Sequence, residues 1–267
     1  MAVLNLDLFS YELAMNTQAT IILPERRGVK HLPRNGESYP VLYLLHGHGQ
    51  DHTSWIRMSN IERYLANTDV IVVMPNGNRG SYVDGVNTHR YGTYLTEELP
   101  VALRNWFHIS EKREDTFIAG MSMGGYGAIY AAMKHPDKYA AAVGLSTAVR
   151  LDKMPEAPEK GLMIPKLKEV ERNFRAIYGP DEEFEESDFS LKKLAKELQT
   201  SNCVKPRILQ LCGDQDPLRP ANDDFADFMR CECPNIPHDY QVRPGIHDFV
   251  YWDKEISVML EFFGLVH

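Results

Sequence analysis

The chain is short of basic residues, short of cysteine and without a long apolar run, and each shortage closes off a class of function. Its 29 Lys and Arg face 37 Asp and Glu, a formal net charge of -8, so a broad nucleic-acid surface is not expected. The acidity mainly favours solubility. No stretch approaches the ~18 apolar residues that a membrane-spanning helix needs. Met1 to Thr20 lacks the basic start, apolar stretch and small-residue cleavage site of a secretory signal, so a cytoplasmic protein is expected. The cysteines, Cys203, Cys212, Cys231 and Cys233, are then expected to be reduced. Cys231-Glu232-Cys233 has no second ligand pair at suitable spacing, and no metal or other cofactor is expected.

What remains is an ordinary globular composition, 43% apolar and 25% charged over 267 residues, which suits one large α/β domain over 1–267. Apolar runs of strand length, at 41–45, 70–74, 116–119, 140–145, 207–212 and 239–242, alternate with helical patterns. Runs apolar on both faces fit a sheet covered on each side, and the alternation predicts a mostly parallel, doubly wound sheet. Helices are expected at 96–107, 124–134 and 256–263, and a capping box at Ser59-Asn60-Ile61-Glu62 predicts one running toward Ala66. Residues 1–24 read as antiparallel edge strands. Residues 151–200 are charged, punctuated by proline and helix-prone, and are expected to form a short helical insertion or lid.

The strongest chemical signal is Gly120-Met121-Ser122-Met123-Gly124, a G-x-S-x-G run between an apolar strand and an Ala-rich helix. Such a turn lifts a serine above the sheet edge, with small flanking residues permitting the close backbone approaches. A serine hydroxyl needs a base. The chain order Ser, acid, His expected of this turn points to His247, in the loop after the last strand. His135 lies at the far end of the nucleophile helix, His238 precedes a strand, and His267 is terminal. The acid is expected in Gly213-Asp214-Gln215-Asp216, where Asp216 has the reach to hold His247 and Asp214 suits the turn. Backbone N–H groups of Met123 and His48 are the expected oxyanion donors. Trp55, Arg79 and Tyr82, with Asp84, follow strand ends and are expected to line a substrate cleft.

With these residues placed, the chain resembles the esterase D-like group of α/β-hydrolases. That group includes tributyrin esterases, the nearest branch, S-formylglutathione hydrolases, and feruloyl and acetylxylan esterases. The resemblance covers nearly the whole chain. It rests on Leu44-Leu45-His46-Gly47, Met74-Pro75-Asn76-Gly77, Ser122-Met123-Gly124-Gly125-Tyr126-Gly127-Ala128, Cys212-Gly213-Asp214-Gln215-Asp216 and Gly245-Ile246-His247-Asp248-Phe249-Val250-Tyr251-Trp252. It implies an α/β-hydrolase fold, a Ser122–Asp216–His247 triad and short-chain acyl ester substrates, acetylated or feruloylated carbohydrates among them. Met121 departs from the family's frequent histidine, and His48 replaces a usual apolar residue and offers a polar group to substrate.

Two rivals stand beside this reading. His46, His48 and His52, with Asp51, resemble a metal-binding H-x-H-x-D-H run with one residue too many, which would suit a metallohydrolase. A non-catalytic binding protein on the same fold is the other. Partners are expected to be small-molecule or carbohydrate esters, with neither nucleic acid nor membrane, and a homo-oligomer is left open.

Overall fold

The computed structural model describes residues 1–25, 38–66, 68–149 and 167–266. Its strands are β1 Ala2–Ser10, β2 Met15–Leu23, β3 Val41–Leu45, β4 Ile71–Pro75, β5 Thr116–Met121, β6 Ala141–Leu145, β7 Arg207–Gly213 and β8 His238–Arg243. They form one eight-stranded sheet in the order β1-β2-β4-β3-β5-β6-β7-β8. β3 to β8 run parallel, while the β1–β2 hairpin joins β4 antiparallel. This is the expected α/β-hydrolase fold.

The helices are α1 Ser54–Met58, α2 Ile61–Tyr64, α3 Tyr91–Thr93, α4 Leu99–Trp106, α5 Met123–Lys134, α6 Leu167–Tyr178, α7 Leu191–Thr200, α8 Arg219–Glu232 and α9 Phe249–Phe263. Central strands are buried on both faces, as their unbroken apolar runs require. Leu42 and Leu44 enter one apolar cluster with Trp55, Trp252 and Ile256. Their neighbours Val41, Tyr43 and Leu45 enter the opposite cluster with Tyr94, Leu99 and Ala128. The period-two alternation thus splits the core into two layers. A third cluster joins Tyr126 and Ile129 of α5 to Phe174 and Ile177 of α6 and to Leu194 of α7. The expected insertion is therefore helical and packed over 167–200, and 150–166 lie outside the described residues. No helix among the described residues is long and apolar enough to cross a membrane.

Three local expectations give way to tertiary contacts. The capping box does not form. Ser59 closes α1 instead, its hydroxyl donating to the Trp55 carbonyl at 2.6 Å, while Asn60 precedes α2 and donates to Asp253 of α9. The helix expected from residue 96 begins earlier, with α3 and a π-helical turn at Tyr94–Glu98. There Glu98 reaches across to the β1–β2 turn and accepts from the Ser10 hydroxyl and the Tyr11 N–H. Finally, α9 starts at Phe249 rather than 256, because Asp248 caps it by accepting from the Tyr251 N–H at 2.9 Å.

Candidate active site

Ser122 sits between β5 and α5 with φ 54° and ψ -117°. A residue with a Cβ adopts such a conformation only at a cost of ~1–3 kcal/mol, so its surroundings must hold it there. They do so through the backbone. The Ser122 N–H donates to Leu145 O at 2.8 Å, and its carbonyl accepts from Tyr126 N–H and Ala148 N–H at 3.1 and 3.0 Å. Gly120 and Gly124 allow the turn to close, since a Cβ on Gly120 would meet the Gly124 backbone at 2.4 Å and one on Gly124 would meet Leu45 O at 2.5 Å. The first-turn N–H groups of α5, beginning with Met123, have no intrahelical acceptor and face the same end of the sheet.

Three loops from the C-terminal ends of parallel strands meet at this turn. His247 Nε2 lies 3.1 Å from Ser122 Oγ. On its other side, His247 Nδ1 lies 2.9 Å from Asp216 Oδ2 and 3.1 Å from Oδ1. An ionised carboxylate only accepts, so Nδ1 carries the proton and Nε2 is left to accept from the serine. Asp216 is 3% exposed. Burial raises its pKa, but hydrogen bonds from His247, the Ser146 side chain and the Leu218 N–H outweigh this and hold it below the usual carboxylate value. Asp214 has the other role, its Oδ1 accepting from Gly245 N–H at 3.0 Å and tying the acid loop to the histidine loop.

Two further partners stand on this flank, Ser146, which no motif announced, and Trp252, the last residue of the histidine-loop motif. Ser146 is fully buried with φ 49°. The Trp252 indole N–H donates to its Oγ at 3.0 Å. Since an indole N–H can only donate, the Ser146 hydroxyl must accept it, and its own proton is free to turn to Asp216. The Trp252 ring also stands edge-on to His247, centroids 5.0 Å apart. Phe249 and Trp55 continue the stack at 5.1 and 5.6 Å.

The opposite flank is the loop after β3. A Cβ on Gly47 would fall 3.5 Å from Ser122 Cβ, so this loop passes directly beside the serine. His46 is 1% exposed. Its Nδ1 lies 2.8 Å from Gly47 O, which fixes the proton on Nδ1, and its Nε2 accepts from Gly77 N–H at 2.9 Å. The Gly47 carbonyl is thereby turned toward His46. In a trans peptide the next N–H, that of His48, points the opposite way. Burial lowers the pKa of His46 to about 4, so the ring stays neutral. His48 is likewise lowered to about 4, by burial first and then by the Arg79 charge, and its Nε2 is buried without a hydrogen-bond partner.

The expected cleft residues divide. Trp55 is 1% exposed and its indole N–H donates to Leu45 O at 3.1 Å, so it packs the core and secures the end of β3 instead of lining a cleft. Tyr82, 2% exposed, is also interior; its hydroxyl accepts from His46 N–H at 3.0 Å. Both corrections have one cause: large aromatic rings bury apolar area and find one partner for their polar tip. Arg79 is exposed and its carbonyl accepts from Asn173 at 3.0 Å. Asp84 accepts from the Thr93 N–H at 2.8 Å, at the last residue of α3. Among the other histidines, His135 follows the end of α5 and His238 opens β8, while His267 lies outside the described residues. The His46, His48 and His52 run does not gather into a metal-binding group among the described residues. His46 has both ring nitrogens engaged, and His52 Nδ1 is bonded to the Thr20 hydroxyl at 2.8 Å.

Comparison with known proteins identifies the family. The model of the Esterase family ("Putative esterase") matches residues 12–263. An acetyl esterase of Caldicellulosiruptor saccharolyticus is 29% identical over 100% of this chain and 99% of its own length. The fluorophosphonate-binding serine hydrolase FphF of Staphylococcus aureus, solved with substrate bound, is 30% identical with a TM-score of 0.84, covering 98% of each chain. A ferulic acid esterase is 26% identical with a TM-score of 0.75, covering 98% of this chain and 96% of its own.

Proposed function

This chain belongs to the Esterase family and is a carboxylic ester hydrolase, and we propose that it cleaves short-chain acyl esters through an acyl-enzyme on Ser122. One observation carries the reading: Ser122 Oγ, the His247 ring and the Asp216 carboxylate stand in an unbroken line of contacts of 3.1 and 2.9 Å. His247 Nε2 takes the hydroxyl proton as Ser122 Oγ attacks the ester carbonyl carbon. Asp216 holds the ring in the required tautomer and stabilises the imidazolium. The negative charge on the former carbonyl oxygen is met by the N–H groups of Met123 and His48, each worth ~10²–10³ in rate. His247 then gives its proton to the leaving alcohol oxygen, the C–O bond breaks, and the acyl group remains on Ser122. A water molecule, deprotonated by the same imidazole, repeats the sequence and releases the acid.

The substrate class follows from the relatives and from the entrance. An acetyl esterase and a ferulic acid esterase are both similar along the whole chain, which supports acetylated or feruloylated carbohydrate esters. Exposed Arg79, beside His48, is suited to a polar leaving group or acyl substituent. Steady-state rates on p-nitrophenyl esters of increasing chain length, beside acetyl and feruloyl sugar esters, test the proposal. Acetate and butyrate esters should turn over fastest. A clear preference for long acyl chains would overturn the short-chain assignment.

A further inference from the structure

The loop after β6 and the start of α8 meet over a buried amide. Asn222, in the first turns of α8, is fully buried, as is Gln210 on β7. Asparagine is a weak helix former, and burying its amide is costly unless its bonds are made. Here both ends are engaged. Asn222 Nδ2 donates to Thr147 O at 2.9 Å and to Leu218 O at 2.8 Å. Its Oδ1 accepts from Gln210 Nε2 at 2.7 Å. Only an NH2 group can meet two carbonyls, which fixes how the amide points. Gln210 Oε1 in turn faces His238 Nε2 at 3.1 Å.

Both carbonyls belong to peptides that also hold the backbone of the triad. Beyond the Thr147 carbonyl, the N–H of the same peptide is that of Ala148, which donates to the Ser122 carbonyl at 3.0 Å. Beyond the Leu218 carbonyl, the N–H is that of Arg219, which donates to the Asp216 carbonyl at 2.9 Å. The C=O and N–H of a trans peptide point in opposite directions. Each peptide is therefore a rigid bar, gripped by Asn222 at one edge and by Ser122 or Asp216 at the other. The Leu218 N–H adds a bond to Asp216 Oδ1 at 2.8 Å.

We propose that Asn222 is a positioning residue for the reaction, its one NH2 group setting the distance between the nucleophile turn at Ser122 and the acid loop at Asp216. The role rests on the triad proposed for this site. Ser122 follows β5 and Asp216 follows β7, with β6 between them, and Asn222 bridges the gap without touching a reacting atom. Without the bridge the two loops can drift apart. A misplacement of about 1 Å or less along the proton path lowers the rate of the chemical step while leaving ester binding in place.

Steady-state kinetics on p-nitrophenyl acetate, with a urea midpoint for each variant, tests this. Asn222→Asp keeps the size and the acceptor for Gln210 but removes the NH2, and should lower kcat about thirtyfold with KM changed by about twofold or less. Asn222→Ser keeps one donor, since a helical serine hydroxyl reaches the carbonyl four residues back, here Leu218 O, and should cost about fivefold. Gln210→Met breaks the same buried chain but spares both Nδ2 bonds, so its urea midpoint should fall while kcat stays within about twofold. Wild-type kcat in Asn222→Asp overturns the proposal, as does an equal loss of kcat in Gln210→Met, which would mark a packing defect. If circular dichroism shows that Asn222→Asp does not fold, Asn222→Ser decides, and wild-type kcat there overturns the proposal. Ser122→Ala, measured alongside, tests the triad separately: retained activity in that variant ends the triad reading whatever Asn222 does.

Discussion

The two flanks of Ser122 do the same kind of work by different means. On the acid–base flank, side chains act on side chains: His247 on Ser122, Asp216 on His247, and Ser146 with Trp252 on Asp216. On the oxyanion flank, buried side chains act on the backbone: His46 turns the Gly47 carbonyl and anchors Gly77 N–H, and Tyr82 holds the His46 N–H. In the proposed mechanism the first arrangement moves a proton, so it needs titratable groups. The second only meets a charge, for which fixed N–H groups suffice and no proton transfer is required. A substitution on the first flank should therefore cost more than one on the second.

The largest effect is expected at the point the flanks share. Ser122→Ala should lower kcat by about 10⁶-fold, with the fold intact by circular dichroism. On the acid–base flank, Asp216→Asn should lower kcat by about 10⁴-fold because the amide favours the wrong histidine tautomer. Asp214→Asn should change it by only about tenfold or less, since its partner is a backbone N–H. A large loss in Asp214→Asn with a small one in Asp216→Asn would reverse the assignment of the acid. On the oxyanion flank, Tyr82→Phe removes the bond to His46 and should lower kcat by about tenfold, with KM little changed. If KM rises and kcat holds, Tyr82 serves binding. Smaller still, Trp252→Phe keeps the ring against His247 but frees the Ser146 hydroxyl, and should cost a few-fold in kcat. Acid separates the flanks in another way. His46 is held neutral down to about 4, whereas an unfolded histidine protonates near 6.5. The unfolded state therefore binds more protons between these values, and stability is lost as pH falls from about 6.5 toward 4. Urea midpoints across this range should fall less steeply in His46→Asn.

The same contrast explains how much of the molecule was legible in its sequence. The sheet was, because strands buried on both faces must be apolar throughout. The residues of the acid–base flank carry their own signature: a serine between glycines, a carboxylate two residues past a Gly-Asp turn, and a histidine in the last loop. Ser146 does not, and Trp252, though it ends the histidine-loop motif, gives no sign of the bond it donates to Ser146. They lie 106 residues apart in sequence, and nothing local tells a structural serine from one that orients a catalytic acid. The oxyanion flank was the least legible. Trp55 and Tyr82 follow strand ends as cleft residues do, yet their rings are drawn inward by apolar burial and by hydrogen bonds to the backbone of Leu45 and His46 respectively. The late start expected for α9 fails for a related reason. An apolar run after a catalytic histidine reads as loop packing unless the cap at Asp248 is recognised as the beginning of a helix.

The central claim is that His247 makes Ser122 nucleophilic, and the direct measurement is the rate and position of covalent labelling by a fluorophosphonate. Intact-mass and peptide analysis should find one adduct per chain, on Ser122, forming orders of magnitude more slowly in His247→Ala. Labelling at an unchanged rate in His247→Ala, or an adduct on a residue other than Ser122, would contradict the account.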